Sequence, residues 1–165
     1  MEITTLKGFI AYYEQTRLTT NRVIAAIPPE KLDWTYAPGK FTFADLIRHL
    51  AAIERQVFME VIQGRGPAYK GCGPELADGY DAVMNYFHET SRYTLDILQS
   101  MNDSELHVEV PTLNGKITTK GNFLRALMLH EIHHRGAMCI YLNLLGIPSP
   151  SILGLTEQQV ISMSN

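Results

Sequence analysis

The chain of 165 residues is 45% hydrophobic and 19% charged, an ordinary composition with enough length to bury a core without disulfides. Fourteen Lys+Arg against seventeen Asp+Glu leave a net charge of −3, so no basic excess is available for phosphates and no nucleic-acid partner is expected. Two cysteines, Cys72 and Cys139, are too few for a disulfide framework and suit a reducing compartment. The start lacks a leader pattern, and no apolar run approaches the ~20 residues of a membrane span. A cytoplasmic protein without membrane contact, forming a single domain over residues 1–165, is the expectation.

In chain order, Leu6, Phe9, Ile10, Tyr13, Arg17, Val23 and Ile27 mark one stripe of a first helix over residues 5–27, stopped by Pro28-Pro29. A loop follows around Trp34 and Pro38-Gly39. Thr42 is then the expected N-cap, with Asp45 in the first turn, of a second helix reaching Gln63. Its apolar face is Phe43, Leu46, Leu50, Ile53 and Val57. Residues 64–74 are Gly/Pro-rich and lack a P-loop ending; they are a long linker or a lid carrying Tyr69 and Cys72. A third helix fits residues 79–101. From His107 to Thr118 the residues alternate around Asn114-Gly115, which predicts a short β-hairpin with a tight turn. A fourth helix fits residues 120–145, ended by Gly146 and Pro148, and the tail after Thr156 suits one or two helical turns. The economical fold is all-α, an up-and-down four-helix bundle with a short hairpin before the fourth helix.

The chemistry lies in six histidines, three of them within the five residues from His130 to His134. At about 100° per residue, His130 and His134 sit one turn apart on one stripe. That stripe continues through Phe123, Leu127, Ala137 and Tyr141 and reads as a core seam. Two imidazoles at core positions need partners for their ring nitrogens, and one metal ion satisfies both. His133 lies toward the seam's edge, where it supports its neighbours or packs the helix. A third ligand is open: His49, on the flank of the second helix's apolar face, is the first candidate and His88 the reserve. His107 is expected to be exposed. Three neutral imidazoles leave ligand positions free, as in a catalytic site, and suit Zn²⁺, Ni²⁺ or Fe²⁺. Such an ion makes a bound water or thiol nucleophilic near neutral pH. Tyr141, about two turns along the seam, either lines the pocket or serves as a core aromatic with its hydroxyl at the rim.

Two rival motifs overlap these residues. His130-Glu131-Ile132-His133-His134 matches H-E-x-x-H, the zinc-peptidase helix with glutamate as base. No histidine follows His134 to complete that site. Glu131 and His134 also match E-x-x-H, but a di-iron bundle needs a second such pair, and none occurs.

Three segments carry a family resemblance: Phe41-Thr-Phe-Ala-Asp-Leu-Ile-Arg-His49, His130-Glu-Ile-His-His134-Arg-Gly136 and Tyr141-Leu-Asn-Leu-Leu-Gly146. With helix order and length, the chain resembles the DinB/YfiT-like superfamily of metalloenzymes over nearly its whole length. The resemblance implies a four-helix bundle, often a homodimer, with one divalent metal held by His49, His130 and His134. It implies that Glu131 is incidental and the peptidase match accidental. Ala137 departs from the family, which commonly has Gln there, so a polar group near the site is missing. It also implies a small-molecule substrate, with several relatives acting as metal-dependent transferases on low-molecular-weight thiols such as bacillithiol, mycothiol or glutathione. The resulting expectation is a metal-dependent enzyme that joins a thiol to an electrophile. The alternatives are a non-catalytic metal-binding stress-response module, a metal-free bundle holding an apolar ligand, and the zinc peptidase.

Overall fold

The computed structural model describes residues 3–151 and 154–164. Helix α1 spans Leu6–Ala25 and starts at Thr5, whose hydroxyl accepts from the Gly8 amide. Helix α2, Phe43–Ile53, opens with a reciprocal capping box between Thr42 and Asp45. It runs through a π-helical turn at Glu54–Phe58 into α3, Met59–Ile62. The widened turn falls where Glu54 enters the interior at 1% exposure. Helix α4 spans Tyr80–Ser100, strands β1 and β2 span Glu109–Pro111 and Ile117–Thr119, and α5 spans Lys120–Leu144. The tail forms α6, Glu157–Ser164.

The expected four-helix bundle and hairpin are both present. In the hairpin Pro111 faces Ile117, and only Gly115 of the turn adopts a positive φ, at 79°. The turn is therefore the longer kind closed by a left-handed glycine, not the two-residue kind that also needs Asn114 left-handed. Gly146, φ 71°, ends α5 as its position after the apolar pattern implied, and the Ile147 amide turns back onto the Leu142 carbonyl.

Two apolar clusters fill the bundle. One gathers Val23, Ile27, Phe43, Ile47, Val83, Phe87, Met138 and Leu142, the end where α1 and α5 finish and α2 and α4 begin. The other gathers Phe9, Tyr13, Met59, Ile62, Leu98, Leu124 and Met128. So α1 runs parallel to α5, and α2 parallel to α4. These are also the most extensive helix pairings. Directions alternate at the first and last connections, while the middle one, residues 63–79, is a crossover that returns the chain along the bundle. It lies against α2: the Ala68 amide donates to the Gln56 carbonyl, and Arg48 donates to the carbonyls of Cys72 and Ala77 at 2.8 and 3.0 Å. The Gly/Pro-rich segment is thus a strap pinned along the helix that carries His49.

Between the clusters sits a buried polar layer. Arg17 pairs with Glu54, and its Nη2 lies 3.3 Å from Glu131 Oε2. Glu54 also accepts from the hydroxyls of Tyr13 and Thr94, and Glu131 from that of Thr20, each at 2.6 Å. The Arg17 guanidinium lies 4.3 Å from the centre of the Phe87 ring. Arg135 reaches the Thr16 carbonyl from α5. Burial pushes the Glu131 carboxyl above the usual range, against the pull of Arg17.

Candidate metal centre

Helices α2 and α5 run antiparallel side by side, and this brings His49 opposite His130 and His134. The stripe that carries the two α5 histidines is one edge of the buried face and not its centre. Phe123, Leu127 and Tyr141 of the expected seam are buried, and so, beside them, are Leu124, Met128, Glu131, Arg135, Met138 and Leu142, so the buried face is wider than the seam. His130 and His134 therefore sit half-buried on the flank of α5, facing the α2–α5 cleft. Glu131 and Arg135 occupy the core instead. Their charges made them unlikely core residues in the sequence, and α1 answers them with Arg17, Thr16 and Thr20.

One ring nitrogen from each of His49, His130 and His134 falls within 4.8 Å of the others. His49 Nε2 and His130 Nε2 are 3.1 Å apart. Ring centroids are 5.0 Å apart for His49–His130, 4.7 Å for His49–His134 and 4.5 Å for His130–His134. All three imidazoles are held neutral. Burial first, and then the neighbouring imidazoles, push His130 down to about 3 and His134 to about 4. Burial lowers His49 as well. Three uncharged rings thus turn nitrogens toward one point, and His130 Nδ1 is buried without a hydrogen-bond partner. Such a set has donor lone pairs and no charge of its own, so the residues present fit a divalent cation.

The surroundings hold these rings in place. The Tyr69 hydroxyl, delivered by the strap, lies 3.0 Å from His49 Nδ1. Phe41 packs on the other side of His49 at 5.4 Å, and Phe58 lies 6.4 Å from His130. His133 is exposed, its ring 5.0 Å from that of His134. Tyr141 takes the core-aromatic alternative. It is 7% exposed among Trp34, Tyr36 and Phe43, and its hydroxyl donates to the Phe41 carbonyl at 3.0 Å. It touches the histidines only through that segment. Ala137 is half-buried against the first apolar cluster and presents no polar group. His88 and His107 are exposed and away from the cluster. Glu131 faces Thr20 and Arg17 across the core, so it does not stand beside the histidines as the H-E-x-x-H base would.

Sequence reasoning missed Glu54 and Arg17 as core ions. One signal was present: Arg17 lies on the apolar stripe of α1, one turn after Tyr13. Tyr69 was visible only as a residue of a possible lid.

Residues 12–138 match the family described as the DinB superfamily, and the chain belongs to that superfamily. The uncharacterized protein YjoA of Bacillus subtilis (strain 168) is 21% identical over 140 residues, 83% of this chain and 88% of its own length. Its crystal structure, a DinB-like protein, superimposes with a TM-score of 0.71 at 18% identity, covering 88% of this chain and 96% of YjoA. YfiT from Bacillus subtilis, described as a probable metal-dependent hydrolase with an unusual four-helix bundle topology, gives a TM-score of 0.63 at 16% identity. That comparison covers 86% of this chain and 87% of YfiT. The colibactin self-resistance protein ClbS, solved with a dsDNA, gives 0.65 at 14% identity over 86% of this chain and 96% of its own. These likenesses establish the shared fold. Among the described residues no helix is long and apolar enough to cross a membrane.

Proposed function

We propose that this protein is a metal-dependent enzyme in which His49, His130 and His134 hold one divalent ion, Zn²⁺, Ni²⁺ or Fe²⁺, and that it transfers a low-molecular-weight thiol to an electrophile. The observation that carries this reading is the convergence of three neutral imidazole nitrogens in the α2–α5 cleft. When bound, the ion supplies a lowered pKa to a thiol or water placed on it. The chain's own part is orientation. With Nε2 of His49 turned to the ion, its Nδ1–H donates to the Tyr69 hydroxyl, which fixes the tautomer and the ring. Phe41 and Phe58 limit water on two sides. Water in place of the thiol gives hydrolysis, the second reading, favoured by the likeness to YfiT.

Metal analysis of protein purified without a histidine tag tests the site. About one equivalent is expected, and less than about a tenth, with no uptake on titration, overturns the reading. A screen of several thiols with a reactive electrophile tests the reaction. A metal-dependent rate is expected, and its absence with every thiol overturns transfer. Tyr69→Phe is expected to weaken metal binding about tenfold while leaving the fold unchanged. Competition with a chromophoric chelator reads this, and unchanged affinity removes Tyr69 from the site.

The same proposal includes a homodimer, no nucleic-acid partner and a cytoplasmic setting, the last supported by two free cysteines. Helix α5 leaves Leu129, Ile140 and Leu144 about 60% exposed, an apolar row suited to a second copy. Sedimentation as a monomer at micromolar concentration argues against it. ClbS was solved with DNA, but the net charge of −3 gives this chain no basic field. Tight, salt-sensitive binding of a duplex in fluorescence anisotropy overturns that part.

A further inference from the structure

A second cavity opens one helical turn from the histidines. It measures about 570 Å³, a size that accommodates a small molecule. Phe58 and Phe123, tilted at 43° with centroids 4.7 Å apart, line it together with Leu113 and Ile117 of the hairpin. These two hairpin side chains are 67% and 61% exposed and add an apolar wall to the slot. Ala126 lies on the rim, one turn before His130 on α5. Side chains on a helix lean toward its N-terminus, so the His130 ring leans toward this rim. Phe58 closes the gap by touching both the slot and His130.

The charges around the slot are one-sided. Lys116 and Arg125 line it, and no Asp or Glu does. Neither cation has a carboxylate partner among the described residues. The larger cavity at the foot of α3 and α4, about 770 Å³, differs on this point. Its cations Arg65 and Lys120 are already paired, with Glu60 and Glu105. In a chain with more acids than bases, an aromatic-lined slot with two free cations and no acid complements one kind of molecule.

We propose that this slot is the binding subsite for an amphipathic small-molecule anion, an apolar chain or ring ending in a carboxylate, whose other end reaches His49, His130 and His134. The inference rests on the metal reading above and specifies its substrate class. Ala126, at the rim of the slot, is one turn before His130 on the same side of α5, about 6 Å along the axis, which a chain of six carbons spans, and Arg125 stands at the far edge of the slot, about 140° around the helix from His130.

The test uses cobalt(II)-loaded protein and a matched pair of probes, 6-mercaptohexanoate and 6-mercaptohexanol. Both present the same thiol on the same chain, and only the first carries a charge. Each thiol that reaches the cobalt loses its proton to buffer and gives a sulfur-to-cobalt charge-transfer band. The acid is expected to produce the band at about tenfold lower concentration than the alcohol. The exposed double variant Lys116→Gln/Arg125→Gln is expected to erase that preference while leaving the alcohol's response unchanged. Leu113→Ser/Ile117→Ser is expected to weaken both probes. Equal response to acid and alcohol in the unmodified protein overturns the subsite, as does a preference that survives the double Gln variant. Bound cobalt with no band from either probe also overturns it, and leaves the metal reading standing. Failure to take up cobalt at all overturns the metal reading and this inference with it.

Discussion

Arg17→Met is expected to lower the unfolding free energy by about 3–5 kcal/mol, because it breaks a buried ion pair from one side. The variant keeps the volume and the apolar stem and removes the cation between two carboxylates. Glu54 and Glu131 are each 1% exposed, and without Arg17 they face each other across the core with only hydroxyl donors. The Glu131 carboxyl, already raised by burial, then rises further above its unfolded pKa of about 4.3. A carboxyl raised in the folded state contributes its stability below the unfolded pKa and loses it as pH rises through the folded one. The deficit against the parent protein is therefore largest at neutral pH and shrinks toward pH 4. Urea unfolding at both pH values reads this, and a neutral-pH loss under about 1 kcal/mol refutes it. The triple change Arg17→Met/Glu54→Leu/Glu131→Leu is expected to recover most of the loss, because it removes charge and partner together.

His130→Ala is expected to cost more than about 100-fold in metal affinity, beyond what loss of a supporting hydrogen bond causes. It is equally expected to leave the stability of the metal-free protein unchanged or slightly raised. The reason is local: the His130 ring is half-buried, its Nδ1 has no partner, and its Nε2 faces another imidazole nitrogen at 3.1 Å. A side chain kept for packing would show the reverse, with stability lost and affinity intact. Titration with metal and urea unfolding without it separate the two cases. His107→Ala, on the exposed edge before the hairpin, serves as the control and should change neither.

Much of this arrangement was legible in the residues. The Thr42–Asp45 box, the Asn114-Gly115 hairpin and the Gly146 stop are local signals, and local geometry decides them. The meeting of His49 with His130 and His134 was half legible: spacing paired the two on α5, helix position put His49 ahead of His88 as the third, and the family resemblance strengthened that choice. The buried face of α5 is wider than the expected seam, because apolarity does not mark Glu131 and Arg135 as interior residues. Glu131 and Arg135 fill the central positions, and what makes that possible is Arg17 and Thr20 on another helix. No pattern within α5 contains that information. The same holds for the parallel pairing of α2 with α4, since periodicity shows that a helix has a buried face but not the direction in which it runs.

The crossover also has a kinetic side. Because α1 lies along α5, contacts such as Thr20–Glu131 join residues 111 positions apart, and the two halves of the histidine cluster arrive on helices separated by the strap and α4. Here α1–α2 and α4–α5 are sequence neighbours as in an alternating bundle, but the long strap between the two pairs raises the separation of the contacts that join them. Its folding is accordingly expected to be slower than that of an alternating bundle of equal length, which stopped-flow refolding would read. His49 joins the His130–His134 pair only when α2 and α5 dock, so an ion held by all three stabilises the finished fold.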